Sequence, residues 1–272
     1  MLPGVRNPTA RKPIVWAIGG VDPSGGAGLW LDLRVLAAHD VEGRGLVTTV
    51  TAQGDGLWLS AQAVAADLLA AQAEALLRTE GPPAALKLGV LASSACARVV
   101  ADLVADLGVP VVLDPVLRSS SGGPLADAEM LAVLRERLLP RTTVLTPNVP
   151  EAEALARVPV DSPDQARAAA ERLRAMGPEA VLLKGGHLTA DPVVDWLLTA
   201  SGPERLTHPR LPHDVRGTGC ALASAVAARI ALGHPVPHAC RQATGWLAAV
   251  LPEASPGPAG VWRLGVLPPV AG

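Results

Sequence analysis

Short runs of apolar and often β-branched residues alternate along this chain with longer segments whose apolar residues recur at helical spacing. A strand that is buried on both faces has such a continuous apolar run, and the crossover to a parallel neighbour usually holds a helix. The alternation therefore predicts βα units and an α/β fold built on a largely parallel, buried sheet.

The pattern also predicts where the elements lie. Eight strands are expected, the last two weaker, at 14–18, 46–52, 85–90, 110–113, 143–146, 180–183, 193–198 and 205–208. Seven helices are expected at 28–38, 61–77, 94–107, 126–138, 162–176, 218–232 and 237–251. Because no repeat or linker interrupts the pattern, we expect a single domain over 13–252. It would lie between a basic, flexible tail at 1–12 and a loose, Pro/Gly-rich segment at 253–272.

Composition narrows the partners of this domain. With 49% hydrophobic and 18% charged residues over 272 positions, the chain can bury a full core. A formal net charge of −2 offers no surface for a polyanion, so nucleic acid is not an expected partner. Cys96, Cys220 and Cys240 lack the spacing of a zinc site or a disulfide framework, which indicates a reducing compartment. No uncharged run reaches the roughly 18 residues that span a bilayer, so we expect a cytoplasmic protein without a membrane partner.

Polar and glycine-rich segments follow the predicted strands. In an open parallel sheet, ligands bind beyond the carboxyl ends of the strands, so we expect a binding site at that edge. The segments lie at 19–28, 53–56, 114–115, 147–151 and 184–187. The first glycine cluster lacks the Gly-Lys-Ser/Thr ending of a Walker loop.

A further glycine-rich segment, Gly217-Thr218-Gly219-Cys220, stands directly before the apolar run 221–232. At the start of a helix the first backbone N–H groups have no partner within the helix, and the helix dipole adds positive charge. Such a start binds phosphate-like anions, and glycines let the main chain approach them closely. The segment therefore predicts a phosphoryl-transfer site. The alternative is an ordinary turn in which Thr218 caps the helix.

Seven motifs occur in order along the chain. They are GGVDPSGGAG at 19–28 with Asp32, VTAQ at 50–53, KLGVL at 87–91, LDPV at 113–116, TPNVPE at 146–151, KGGH at 184–187 and GTGC at 217–220. Together they resemble the ribokinase superfamily and, within it, the hydroxymethylpyrimidine/phosphomethylpyrimidine kinases of thiamin biosynthesis. The resemblance implies a ribokinase-like three-layer α/β/α sandwich with a central, mostly parallel sheet. It also implies ATP and Mg2+ as cofactors, a small pyrimidine substrate and a homodimer.

The resemblance assigns catalysis to the 217–220 segment and to Lys184. Phosphoryl transfer needs positioning and neutralisation of charge more than covalent chemistry by the protein. The amides of Gly217, Thr218, Gly219 and Cys220 would face the moving phosphoryl group, and Lys184 would reach the ATP phosphates. Cys220 takes the place of the aspartate base in the superfamily's usual Gly-Ala-Gly-Asp motif, and a helix start lowers the pKa of a cysteine. The alternatives are a small buried thiol for Cys220 and a solvated strand-end lysine for Lys184.

The resemblance also implies a site for magnesium. Asn148 and Glu151 match the superfamily's Asn-x-x-Glu motif, which helps to hold the ion, mainly through water. Mg2+ keeps several waters and prefers one or two carboxylates together with substrate phosphates, so Asp114 is a reasonable second carboxylate. The alternative for Glu151 is an acidic residue in the first turn of a helix after Pro150.

For the acceptor, the family places Asp32 and Gln53 around the pyrimidine. A glutamine amide has both a C=O and an NH2, which suits the ring nitrogen and exocyclic amine of an aminopyrimidine. Backbone at Gly19 and Ala27 would approach the ring, and Val90 would line it. The alternative for Asp32 is an exposed acid on a helix face.

Three departures from the family lie on the acceptor side. Gly54-Asp55 replaces a common Asn-Thr, Val90 replaces a common methionine, and Arg216 replaces a common histidine. The motifs that the resemblance assigns to phosphoryl transfer are present, while residues assigned to the acceptor differ from the family. We therefore expect ATP-dependent phosphorylation of 4-amino-5-hydroxymethyl-2-methylpyrimidine and of its monophosphate. The alternatives are a pyridoxine/pyridoxal kinase of the same superfamily and a non-catalytic pyrimidine-binding protein.

Overall fold

A computed structural model describes residues 11–118, 123, 128–257, 259–265 and 267–270. Its strands are β1 (Ile14–Val21), β2 (Glu42–Gly54), β3 (Leu57–Ala63), β4 (Ala85–Leu88), β5 (Val111–Leu113), β6 (Val144–Leu145), β7 (Ala180–Leu183), β8 (Val193–Thr199), β9 (Gly202–His208), β10 (Val215–Arg216), β11 (Ser255–Pro256) and β12 (Trp262–Arg263). Its α-helices are α1 (Gly28–Ala38), α2 (Ala66–Glu80), α3 (Ser94–Leu107), α4 (Ala128–Val133), α5 (Val149–Ala156), α6 (Pro163–Arg174), α7 (Thr218–Ala231) and α8 (Val236–Val250). The first two residues of the helix expected at 126–138 lie outside the described residues.

Nine of the described strands form one sheet, in the order β3-β2-β1-β4-β5-β6-β7-β8-β9. The six from β2 to β7 run parallel, and antiparallel strands extend both edges. The central strands are buried on both faces, which explains their continuous apolar sequences. The predicted α/β fold with a mostly parallel sheet is confirmed.

Helices cover both faces of the sheet and complete a three-layer sandwich. One apolar core lies between the sheet and α2 to α6, and the other lies between the sheet and α1, α7 and α8. Local signals set several helix ends. Ser93 caps α3 by accepting a hydrogen bond from Cys96 N at 3.1 Å, and Gly108 ends that helix in the left-handed conformation at φ 59°. Among the described residues, no helix is both long and apolar enough to cross a membrane.

Three elements differ from the sequence prediction. Residues 61–63 belong to the edge strand β3 and not to the helix predicted at 61–77, which begins at Ala66. Helix α5 was not predicted, because its eight residues are shorter than the window over which helical periodicity is read. The segment after Pro252, whose composition predicts a loose chain, contains two short strands that pair with each other and with β10.

Candidate active site

The segment 217–220 begins helix α7 at the carboxyl edge of the sheet. Gly217 is the N-cap, in the left-handed conformation at φ 83°, and makes no side-chain hydrogen bond to the first turn. The first helical bond runs from Ala221 N to Gly217 O at 2.9 Å. Thr218 is the first helical residue, so the alternative in which it caps the helix is wrong. The amides of residues 218–220 are thus the donors at the start of α7.

Two glycines in this turn are required for different reasons. Gly217 needs its positive φ, and a Cβ there would overlap Gly26 O and a methyl group of Leu31. Gly219 needs only space, because its φ is not positive. A Cβ on Gly219 would lie 3.1 Å from Lys184 Nζ and 3.5 Å from Asp114 Oδ2. The start of α7 therefore faces a lysine and an aspartate from two different strand ends.

Lys184 and Asp114 form an ion pair at this edge. Lys184 Nζ lies 2.9 Å from Asp114 Oδ1, and the side chains are 17% and 2% exposed. Burial opposes charge on the lysine, but the carboxylates of Asp114 and Glu151 more than offset it and raise the Lys184 pKa. The lysine is therefore an ammonium ion beside the helix start, and the alternative of a solvated strand-end lysine is wrong.

Asn148 and Glu151 form a reciprocal capping box at the start of α5. Asn148 Oδ1 accepts from Glu151 N at 2.9 Å, and Glu151 Oε2 accepts from Asn148 N at 2.8 Å. Glu151 therefore does lie in the first turn of a helix, which was the alternative role for it, and Asn148 caps the same helix. They also lie beside Lys184, which pairs with Asn148 in an isolated parallel bridge. Burial and the nearby Asp114 raise the Glu151 pKa to about 7, against the opposing effect of Lys184.

This edge suits a water-mediated magnesium ion better than a directly ligated one. Within the described ranges, no group of three or more His, Cys, Asp or Glu side chains could hold a metal ion. The donors present are Asp114, Glu151 and the amide of Asn148, of which the first two are at most 6% exposed. Mg2+ commonly keeps its waters and takes one or two carboxylates plus substrate phosphates. The residues therefore fit the ion when nucleotide supplies the remaining ligands.

Cys220 is the third residue of α7 and is partly buried. Burial raises its pKa to about 11, although Lys87 and a hydrogen bond from Gly28 N–H act to lower it. The expected lowering of the pKa by the helix start is therefore outweighed. At neutral pH the side chain is almost entirely a thiol.

Asp32 does not lie on an accessible surface of the acceptor side. It is 0% exposed, and both of its carboxylate oxygens are bonded. Lys87 Nζ lies 2.8 Å from Oδ2, and Ser224 Oγ donates to Oδ1 at 2.9 Å. Direct substrate binding by Asp32, and the alternative of an exposed acid, are therefore both inconsistent with this placement. Its contact is with a buried lysine.

Sequence reasoning missed the part played by Lys87. This lysine is 1% exposed in the buried strand β4, and the 2.9 Å from its Nζ to a Cβ built on Gly89 places it near the strand end. Burial opposes its charge, but Asp32, Cys220 and Asp114 raise its pKa. A lysine within a continuous apolar strand was the available signal, since such a charge needs a buried partner.

Gly19, Val90 and Ala27 lie around the end of β1. A Cβ on Gly19 would be 3.8 Å from Val90 N and would also contact Leu29. Ala27 is the N-cap of α1, and the next residue, Gly28, has φ 62° where a Cβ would overlap Gly20 O. The close packing of α1 onto β1 therefore keeps backbone and small side chains at this point.

Gln53 and Arg216 meet on the acceptor side, although their sequence positions are far apart. Arg216 Nη2 donates to Gln53 Oε1 at 2.9 Å, and the arginine side chain is 3% exposed. Its guanidinium also lies 3.0 Å from Asp22 Oδ2 and 3.4 Å from Asp55 Oδ1. Two of the departures from the family pattern, Asp55 and Arg216, are thus an ion pair. Their opposite charges were the only signal in the sequence.

Comparison with known proteins places the chain in a family. The sequence model of phosphomethylpyrimidine kinase matches residues 22–260. A hydroxymethylpyrimidine/phosphomethylpyrimidine kinase of Synechococcus elongatus is 40% identical over 242 residues, which cover 88% of this chain and 91% of that protein.

Solved structures agree with this match. A phosphomethylpyrimidine kinase of Clostridium difficile superposes with a TM-score of 0.78 at 28% identity, covering 88% of this chain and 100% of that one. An ADP complex of Bacillus subtilis pyridoxal kinase gives a TM-score of 0.84 at 27% identity, covering 94% and 99%. The predicted resemblance and the kinase class are confirmed. The chain belongs to the hydroxymethylpyrimidine/phosphomethylpyrimidine kinase family.

Proposed function

We propose that this kinase uses ATP to phosphorylate the hydroxymethyl group of 4-amino-5-hydroxymethyl-2-methylpyrimidine and then phosphorylates the monophosphate to the diphosphate. The observation that carries the proposal is the start of α7, where Gly219 faces the Lys184–Asp114 pair. Donors and a cation meet there at the carboxyl edge of the sheet, where a transferring phosphoryl group needs them.

The residues of this edge divide the work between charge and position. The Lys184 ammonium attracts the nucleotide phosphates, and Asp114 orients it through the 2.9 Å contact. The amides of Gly217, Thr218, Gly219 and Cys220 point to charge that develops during transfer. Asn148, Glu151 and Asp114 would hold Mg2+, mainly through water, and the ion would neutralise phosphate charge when bound. Transfer thus rests on fixed donors that need little rearrangement.

The two phosphorylations place different demands on Cys220. The first attacks with an alcohol, which must lose its proton, and the second attacks with a phosphate oxygen that is already ionised near neutral pH. We propose that the thiolate of Cys220 takes the proton in the first step. Because its pKa is about 11, little of this base is present at pH 7.

Pyridoxal is the second candidate acceptor, supported by the similarity to the Bacillus subtilis pyridoxal kinase. The changed residues Asp55 and Val90 lie on the acceptor side. Arg216 contacts Gln53 on that side and also directly precedes Gly217, the N-cap of α7, so it borders both regions. A non-catalytic pyrimidine-binding protein is not favoured, because the charged phosphate edge is complete.

The test is a coupled assay of ADP release by the purified chain. Pyrimidine, its monophosphate and pyridoxal are offered separately with ATP and Mg2+. We expect turnover of the first two. Turnover of pyridoxal alone would reject the pyrimidine as substrate, and binding by calorimetry without ADP release would favour the non-catalytic reading.

Several further properties belong to this proposal. We propose a homodimer formed through β3, an edge strand on which Leu57 and Leu59 are 54% and 69% exposed. Light scattering on Leu59→Glu tests it, and an unchanged mass would reject this surface. A cytoplasmic location is supported by Cys96, Cys220 and Cys240, none of which forms a disulfide. We propose one kinase domain that extends beyond residue 252, because β12 pairs with β10; residues 1–10 of the expected N-terminal tail lie outside the described residues.

A further inference from the structure

The C-terminal segment lies against the acceptor side of the site. β12 pairs in parallel with β10, whose second residue is Arg216, and β11 pairs with β12 from the other side. A Cβ on Gly56, in the turn between β2 and β3, would be 3.6 Å from a methyl group of Val261. This segment therefore contacts both the strand before the helix start and the hairpin that carries Gln53.

A chain of opposite charges joins the two regions. Arg263 Nη2 lies 3.0 Å from Asp55 Oδ2, and the other oxygen of Asp55 lies 3.4 Å from Arg216 Nη1. Asp55 is 7% exposed and Arg263 is 29% exposed. We call Arg263, Asp55, Arg216 and Gln53 the arginine relay. It begins in the C-terminal segment and ends on the amide assigned to the acceptor.

The relay sets the orientation of the Gln53 side-chain amide, with Oε1 toward Arg216 and Nε2 toward Thr51. Its Oε1 accepts from Arg216, which can only donate, and its Nε2 donates to Thr51 Oγ1 at 2.9 Å. Thr51 can accept there because its own hydroxyl donates to Val21 O at 2.9 Å. A rotation of the amide by 180° would place two donors against each other at Arg216. The orientation therefore depends on where the guanidinium is held.

Arg263 limits the freedom of Asp55. Arg216 is also held by Asp22 Oδ2 at 3.0 Å, by Ser24 Oγ at 3.1 Å and by Gly54 O at 3.1 Å, so Asp55 sets part of its position. A buried carboxylate shared by two guanidinium groups loses one of its two partners if Arg263 is removed, and Asp55 can then move away from Arg216. Packing supports this arrangement, because a Cβ on Gly257 would overlap Asp55 Oδ2 and Arg263 Nη2. Glycine at 257 leaves the space that the ion pair occupies.

We propose that Arg263 is a positioning residue for the acceptor: through Asp55 and Arg216 it holds the Gln53 amide in the orientation that receives the substrate ring. The proposal rests on the function proposed above. It gives the C-terminal segment a part in acceptor recognition. It also explains why Asp55 and Arg216, two departures from the family pattern, occur together.

The test compares Michaelis constants for the acceptor and for ATP. In Arg263→Met we expect the acceptor KM to rise about fivefold, which is less than the effect of losing the whole Gln53 amide, while the KM for ATP stays within twofold. Gly257→Ala should act in the same direction by crowding the pair, and Arg263→Lys should restore part of the affinity. Arg241→Met is the matched control, since Arg241 pairs with Glu204 on another surface.

A double-mutant cycle then separates the relay from general destabilisation. Once Asp55→Asn is present, adding Arg263→Met should change the acceptor KM by less than twofold. An unchanged acceptor KM in both Arg263→Met and Gly257→Ala, or equal rises for acceptor and ATP, would overturn the relay. If the wild-type protein turned over pyridoxal and not the pyrimidine, only the proposed substrate would fail, and the same comparison with pyridoxal would decide the relay.

Discussion

Replacing Cys220 by alanine tests whether the thiolate takes the proton of the alcohol. A pKa of about 11 leaves roughly one thiolate in 10⁴ molecules at pH 7, a fraction that grows about tenfold with each pH unit. We therefore expect wild-type kcat for the first phosphorylation to rise with pH between 7 and 9. In Cys220→Ala the rate should be lower by roughly 10²-fold at pH 7 and should not rise with pH.

The second phosphorylation is the internal control for this variant. Its attacking phosphate oxygen needs no base, so Cys220→Ala should leave the rate with the monophosphate within about threefold of wild type. The assay is ADP release with each acceptor at saturation across pH 7–9, beside a thermal melt. If both steps fell equally, or if the first kept its rate and pH dependence without the thiol, Cys220 would be a packing residue. The amides and Lys184 would then carry the transfer.

Three more predictions concern the start of α7, the acceptor side and the magnesium site. Gly219→Val should reduce ADP release to near background with little change in Tm, because its side chain would displace Lys184 Nζ 3.1 Å away; normal turnover would show that the turn does not bind the phosphoryl group. Gln53→Leu should weaken acceptor binding about tenfold by calorimetry and spare ATP, as expected for a lost buried hydrogen bond; equal acceptor affinity would remove Gln53 from the pocket. Burial raises the Glu151 pKa to about 7, so the carboxyl is protonated below that pH. Binding of Mg-nucleotide at pH 6.5 should therefore release a proton and weaken as the pH falls. Calorimetry in two buffers should find no such release in Glu151→Gln.

The amino-acid sequence was sufficient for the fold class and for the place of the phosphate edge. Short apolar runs bounded by turn residues are typical of strands buried on both faces, and their alternation with helical segments predicts parallel crossovers. Parallel strands bring their carboxyl ends to one edge, so Asp114, Asn148 and Lys184 could be expected to meet there, and they do. Gly217 follows β10, which belongs to the separate three-stranded sheet, so its approach to this edge depends on tertiary packing.

Short elements could not be predicted in this way. β3 lies at the edge of the sheet and is exposed, so its sequence lacks the buried pattern of the central strands. Helix α5 has only eight residues, too few for helical periodicity to be read, although its Asn148–Glu151 capping box is a local start signal. For β3, tertiary neighbours decide the conformation more than local propensity.

Only the tertiary structure decided the electrostatics and the partners of the side chains. Burial gives Cys220 a pKa of about 11, against the lowering that its position at a helix start predicts, because desolvation depends on what packs around the thiol. The sequence places Asp32 on a helix, but it does not show that Asp32 pairs with Lys87, because that contact forms only when α1 packs against the sheet beside β4. Within the arginine relay, the ion pair between Asp55 and Arg263 joins residues that are 208 positions apart. Periodicity carries the local conformation of a chain, whereas such contacts exist only after distant segments have packed together.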